Sequence, residues 1–448
     1  MQEKPNKQYQ EKLITAAQAA AMVKSGDWVE YGWCCAHTMA IDKELAKRSE
    51  QLCDINVRGG ICLWVPEIAK VKNPQEHFTW NSWHMSSIER KLIEEGMAFY
   101  NACRYSELPS YYRDYIIPGD IAFFQVAPMD DSGYFNFGPN ASHMIELCKR
   151  TRTVVVEVNT NMPVCHGNGC EHVHISEVDY IVEGENPPIA ELAAPRPSEV
   201  DNKIAALIIE RIRNGVCLQL GIGGMPNAIG EMIATSDLKD LGVHTEMYVD
   251  AFVEMSLAGR INGSKKAIDK GLQTFTFAAG SKKLYDFINK NPELYCVPVD
   301  YVNDVRVIGQ LDNFVSITSA VDMDLFGQVN GESAGMRHIS GSGGQFDFVM
   351  GSGLSKGGLS FICLPSTYTA KTGEKKSRIL PTLATGTVVT TLRPSVQHIV
   401  TEYGIICLKG KSSWQRAEDI VSIAHPDFRD ELIKSAWQMG IWKQSNKR

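Results

Sequence analysis

Nowhere does the sequence hold an apolar run approaching the ~18 residues that a bilayer span requires, so no membrane is expected. Positive charge is not in excess either. The 45 Lys and Arg stand against 52 Asp and Glu, a formal net charge of -7, which leaves little to track a phosphate backbone. No nucleic acid is expected. The first residues, Met1-Gln-Glu-Lys-Pro-Asn-Lys7, are polar with no apolar core behind them, unlike a secretion signal. A Walker lysine motif is missing, which counts against an NTPase. The 12 cysteines are scattered, and several sit in apolar runs such as Ile61-Cys62-Leu63 and Ile406-Cys407-Leu408, where a thiol packs as a small hydrophobe. A reducing cytoplasm is the expected location.

What is present is apolar material in short pieces. With 44% hydrophobic residues over 448 positions, the chain can bury sizeable cores, and at ~100–200 residues per domain two are expected. Strand-like runs such as Thr153-Val-Val-Val-Glu-Val158, Val216-Cys-Leu-Gln-Leu220 and Thr274-Phe-Thr-Phe277 alternate with helical patterns over Ile41 to Arg48 and Ala205 to Ile212. That alternation predicts an α/β fold with sheets covered by helices. The prolines of Glu185-Asn-Pro-Pro-Ile-Ala-Glu-Leu-Ala-Ala-Pro-Arg-Pro197 deny it helix interiors and central strands. The expected division is therefore 1–192, a linker at 193–201, and 202–448. Lys24-Ser-Gly-Asp-Trp-Val-Glu-Tyr-Gly32 resembles Arg213-Asn-Gly-Val-Cys-Leu-Gln-Leu-Gly221, an offset of 213 − 24 = 189 residues. Two similar open α/β halves are expected, with a ligand in the cleft between them.

Five segments could carry chemistry. Gly221-Ile-Gly-Gly-Met-Pro-Asn-Ala-Ile229 follows an apolar strand and runs into a helical pattern from Asn227, with Pro226 suited to a first helical position. Glycines let a ligand approach the backbone, and free N–H groups at a helix start favour negative charge. Met225-Pro226 breaks a dinucleotide fingerprint, and a purely structural turn would look the same. In Leu241-Gly-Val-His-Thr-Glu-Met-Tyr-Val-Asp250, Glu246 is a carboxylate set among apolar groups. It could be a covalent nucleophile or a strand-end partner of a nearby cation. Gly327-Gln-Val-Asn-Gly-Glu-Ser333 and Ser340-Gly-Ser-Gly-Gly-Gln-Phe-Asp-Phe348 could present backbone donors to a carbonyl, or simply turn. Lys356, Lys371, Lys375, Lys376 and Arg378 concentrate charge near these loops. Finally, Cys165-His166-Gly-Asn-Gly-Cys170-Glu-His172-Val-His174 gathers thiols and imidazoles, but its spacing matches no common zinc pattern. His172 and His174 alternate as on a strand face, and no metal is expected.

Together, Gly221-Ile-Gly-Gly-Met-Pro-Asn-Ala228, His244-Thr-Glu-Met247, Gly327-Gln-Val-Asn330 and Ser340-Gly-Ser-Gly-Gly-Gln-Phe-Asp-Phe348 resemble the acetyl-CoA hydrolase/transferase family, nearly end to end. Within it, Trp80-Asn-Ser-Trp-His-Met-Ser86, Arg104-Tyr-Ser-Glu-Leu-Pro109, Phe135-Asn-Phe-Gly-Pro139 and Ala424-His-Pro-Asp-Phe-Arg-Asp430 resemble the members that move CoA from butyryl-CoA to acetate. The resemblance implies Glu246 as nucleophile and Asn330 as the residue that holds its side chain. It implies CoA contacts at Gly221, Ile222, Gly223, Gly224, Met225, Val321, Gly343, Gly344 and Lys371. It also implies ping-pong transfer through a glutamyl-CoA thioester, with acyl-CoA and a short-chain carboxylate as substrates, no resident cofactor, and a homo-oligomer. A hydrolase on the same scaffold, a transferase for 4-hydroxybutyrate or another short acid, an NAD-binding oxidoreductase and a non-catalytic CoA-binding protein are the competing expectations.

Overall fold

β-Branched and aromatic runs form short strands buried on both faces, as parallel sheets covered by helices require. The computed structural model describes residues 3–192 and 195–443. The first sheet is built from β1 (Trp28–Glu30), β2 (Ile55–Gly59), β3 (Phe78–Ser82), β4 (Ala98–Tyr100), β5 (Ile121–Val126), β6 (Thr153–Val158) and β7 (Tyr180–Glu183). Its order is β4–β3–β2–β1–β5–β6–β7, parallel throughout. Every residue of β5 is buried.

The second sheet comprises β8 (Cys217–Leu220), β9 (Gly242–Tyr248), β10 (Gln273–Ala278), β11 (Leu294–Cys296), β12 (Phe314–Ser319), β13 (Leu359–Cys363), β14 (His398–Thr401) and β15 (Gly404–Cys407). They run in the order β11–β10–β9–β8–β12–β13–β14–β15, with β15 antiparallel to β14. The chain divides into two compact units. One holds Met1–Ala193, Glu246–Tyr248 and Gln273–Val302; the other holds Ala194–Thr245, Val249–Leu272 and Asn303–Arg448. Strand β9 therefore belongs to one unit through Thr245 and to the other from Glu246.

The α/β fold with two similar open sheets agrees with the sequence reading, and the nine-residue repeat proves to be β1 and β8 with their flanking turns. Boundaries shift where capping decides them. The helix expected over Ala205 to Ile212 starts earlier, at Glu199–Ile209, because Ser198 and Asp201 form a reciprocal capping box. The proline-bearing stretch 184–198 holds no helix or strand among its described residues. Among the described residues no helix is long and apolar enough to cross a membrane.

Candidate active site

Ligands of open α/β sheets gather outside the carboxyl ends of the strands. At the end of β8 the chain turns through Gly221, whose amide donates to Ile317 O at 3.0 Å, and the helix Gly224–Thr235 follows. Gly223 takes a φ of 123°, which a side chain would strain. Gly224 is packed so closely that a Cβ would stand 2.8 Å from Asp201 Oδ2. Ile222 is exposed and Met225 buried. The expectation that Pro226 opens the helix is corrected: the helix begins two residues earlier. Proline is tolerated there because the first-turn N–H groups have no intrahelical acceptor. The amides of Gly224 and Met225 thus stand at a helix start where negative charge is favoured.

The second glycine loop reaches the same end of the sheet. Gly343 takes a φ of 51°, and Gly344 caps the helix Gln345–Leu354. Gln345 Nε2 donates to Thr318 Oγ1 at 3.4 Å and Ser319 O at 3.3 Å, which sets that helix start beside the end of β12. β12 in turn pairs with β8. Two residues beyond β12, the Val321 amide donates to Asn330 O at 2.8 Å.

Asn330 itself is buried, and its side chain is fully engaged. Nδ2 donates to Asp322 Oδ1 at 2.8 Å and Ser333 O at 2.7 Å, while Oδ1 accepts from the amides of Glu332 and Ser333. The amide group shapes the turn Gly331 to Ser333. Glu332, on that turn, has its carboxyl pushed up by burial, against hydrogen bonding from Thr390 and the proximity of His338.

Arg378, one of the basic residues, packs on the segment that follows β12. It donates to Val321 O at 2.7 Å and lies over the Tyr368 ring at 4.9 Å. Lys371 is exposed in the turn between the strands Thr367–Thr369 and Lys375–Ser377. Lys375 lies 3.5 Å from Asp427 and Lys376 3.3 Å from Glu374. Lys356 lies elsewhere: its carbonyl accepts from Asn313, which precedes β12, so it sits at the opposite end of the sheet. Nearness in sequence misled there.

Glu246 is half-buried near the end of β9, between the buried Thr245 and Met247. Thr245 Oγ1 donates to Leu220 O at 3.4 Å, so β9 reaches this level beside the end of β8. In the unit that contains Glu246, its charge acts on the buried phenol of Tyr105. Burial, and then that charge, hold the phenol well above its usual range, against a lowering hydrogen bond from Ser142. Trp33 stacks on Tyr105 at 4.9 Å. Neither aromatic residue stood out as a site residue in the sequence.

Two further motifs can be placed. His172 and His174 lie on a strand paired antiparallel with Tyr134–Asn136, and both rings contact Tyr134, at 4.3 and 4.9 Å. Cys165 is buried, and burial pushes its thiol up. Among the described residues no group of three or more His, Cys, Asp or Glu could hold a metal. The expectation of no Gly-x-Ser-x-Gly elbow is corrected: Gly331-Glu-Ser-Ala-Gly335, on the turn held by Asn330, and Gly353-Leu-Ser-Lys-Gly357 both match the pattern of a nucleophile elbow. Ser355 instead follows a helix and is buried, its Oγ donating to Leu311 O at 2.6 Å and accepting from the Phe314 amide at 3.1 Å. It is a structural serine.

Models of two family domains match the chain: the acetyl-CoA hydrolase/transferase N-terminal domain over residues 1–192 and the C-terminal domain over residues 280–436. The butyryl-CoA:acetate CoA-transferase of Anaerostipes caccae is 59% identical over 441 residues, 98% of this chain and 99% of its own. The probable butyrate:acetyl-CoA coenzyme A-transferase of Syntrophomonas wolfei is 49% identical over 100% of both chains. The crystal structure of RipA from Yersinia pestis matches with a TM-score of 0.88 at 34% identity, over 98% of this chain and 100% of that one.

Proposed function

The chain belongs to the acetyl-CoA hydrolase/transferase family, and from that premise we propose that it moves CoA from butyryl-CoA to acetate through a thioester on the side chain of Glu246. The observation that carries the substrate assignment is the near-full-length identity to a relative named for this reaction. The half-buried carboxylate at the end of β9 supports the choice of nucleophile.

The Glu246 carboxylate attacks the acyl carbon of butyryl-CoA. The C–S bond breaks, CoA leaves as thiolate, and a mixed anhydride remains. The thiolate then attacks the glutamyl carbonyl, forming a new C–S bond and releasing butyrate. Acetate reverses the two steps and leaves as acetyl-CoA, restoring the carboxylate. The thioester bond is conserved, so the reading requires no ATP, metal or resident cofactor. Each step builds negative charge on a carbonyl oxygen, where one well-placed donor contributes ~3–4 kcal/mol.

We place CoA along Gly221, Ile222, Gly223, Gly224 and Met225 and along Gly343 and Gly344, where two helix starts offer N–H groups to phosphate or to an oxyanion. Val321 and Lys371 are further contacts, and Asn330 serves by shaping its turn. The twelve free cysteines suit a cytoplasmic enzyme, and a homo-oligomer completes the reading.

Incubation with butyryl-CoA and no acceptor is expected to leave CoA attached to the peptide bearing Glu246. An adduct on a cysteine, or none, would overturn the mechanism. Addition of acetate then gives acetyl-CoA; release of free CoA instead identifies a hydrolase.

A further inference from the structure

The transfer chemistry leaves Arg104-Tyr-Ser-Glu-Leu-Pro109 without a part, yet Tyr105 is 2% exposed and closely held. Its hydroxyl lies 2.5 Å from Ser142 Oγ, which lies 3.0 Å from His143 Nδ1. Trp33 lies flat on its ring, and Phe277 meets it edge-on at 6.0 Å. Ser142 takes a φ of 34°, in the left-handed region where backbone strain is stored, and its amide donates to Thr276 O at 3.2 Å. Thr276 and Phe277 belong to β10, the neighbour of the strand that carries Glu246. All these residues, Glu246 included, lie in one compact unit.

The chain of hydrogen bonds has a preferred direction. His143 is buried, which pushes its pKa down to about 3 and keeps it neutral, with one ring proton. Its Nε2 is buried without a partner among the described residues. A buried N–H with no acceptor is rarer and costlier than an unmet lone pair, so the proton belongs on Nδ1. Nδ1–H then donates to Ser142 Oγ, and the Ser142 hydroxyl donates to Tyr105. The proton of Tyr105 is thereby turned away from Ser142.

We propose that Tyr105 is a further catalytic residue, donating a hydrogen bond to the carbonyl oxygen of the acyl group carried on Glu246, with Ser142 and His143 as positioning residues that aim its proton. The proposal rests on Glu246 being the nucleophile. Tyr105 keeps its proton throughout and meets the charge that develops on the oxygen as the anhydride and the thioester form and break.

Tyr105→Phe keeps the ring and its packing and removes only the hydroxyl. Its kcat is expected to fall roughly 100-fold, as on loss of one oxyanion donor, with an unchanged melting temperature. KM for butyryl-CoA should stay within about twofold, since the interaction is made only in the transition state. In a single turnover, CoA attachment to Glu246 should slow by the same factor as kcat. A wild-type rate of attachment in Tyr105→Phe overturns the inference alone. No attachment in the wild-type protein overturns the premise, and this inference with it. Ser142→Gly suits the backbone angle and removes the relay; it should lower kcat about tenfold, with no further loss when combined with Tyr105→Phe. Losses that multiply in the double variant would overturn the relay.

Discussion

Strands β4–β3–β2–β1–β5–β6–β7 of the first sheet and β11–β10–β9–β8–β12–β13–β14 of the second follow one order, each number in the second being seven higher. The registers agree as well: Trp28 pairs with Asn56, and Cys217 with Gly242. First strands are thus 217 − 28 = 189 residues apart and second strands 242 − 56 = 186. Counting along them, Glu30 and Arg58 answer to Gln219 and His244, and Gly60 answers to Glu246. In the first sheet Glu30 and Arg58 form a buried ion pair at 2.7 Å, with Tyr112 donating to Glu30 at 2.8 Å. At the end of β2 the space is closed, because a Cβ on Gly60 would stand 2.6 Å from the Trp33 ring. The second sheet has a carboxylate at that position. Topology sets where chemistry can occur; one side chain, and what the loop after the first strand lays over it, sets which sheet uses the place.

Removing the carboxylate tests the contrast most severely. Glu246→Gln, nearly the same shape, is expected to lower acetyl-CoA formation by about 10⁴-fold or more and to abolish CoA attachment, with the melting temperature kept. Transfer at a tenth of the wild-type rate would break the comparison. Filling the closed position is the next largest perturbation. Gly60→Ala forces a methyl group against Trp33 and should cost ~1–3 kcal/mol, read as a lowered denaturation midpoint. An unchanged midpoint would mean that Trp33 gives way and that the first sheet is not plugged.

Much of this was legible in the sequence because it is local. Thr153–Val158 is a strand as its apolar run predicts, and nine residues of repeat located the central strand of each sheet. What escaped depends on residues far apart in sequence. The helix Ala40–Ala46 has no side-chain cap from its own N-cap Met39; the amides of Met39, Ala40 and Ile41 are met by Glu157 instead. Asn330 is singled out by the resemblance alone, while the bonds that use up its side chain exist only in the fold. Tyr105 stood in the sequence only as part of Arg104-Tyr-Ser-Glu-Leu-Pro109, with no sign of a role, since Ser142, Phe277 and the charge of Glu246 act on it from three other segments.

A smaller effect is expected where the loops diverge. Gly224 answers to Cys35, 224 − 189 = 35, so the same turn carries a side chain in the first sheet and none in the second. Gly224→Ala pushes against Asp201 Oδ2, which also caps the helix Glu199–Ile209. KM for butyryl-CoA should rise about tenfold, or ~1.4 kcal/mol, with kcat changed less. A rise in KM with no change in stability would place the effect on ligand approach rather than on the cap.

The smallest expected effect concerns the helices that follow the first strands. Asp42 is 1% exposed, whereas Glu231, 42 + 189 = 231, is exposed to solvent. Burial pushes the Asp42 carboxyl up to about 7 from 3.8, although Tyr31 and the Glu67 amide donate to it. Between these values the unfolded chain has released the proton that the folded chain still holds. Stability therefore falls as pH rises from about 4 to 7 and levels off above, since the unfolded state there binds fewer protons. Asp42→Asn should flatten this part of the pH profile of the melting temperature, and Glu231→Gln should leave it as in the wild type. Parallel profiles for wild type and Asp42→Asn would show that the buried carboxyl of the first sheet is not what distinguishes the two helices.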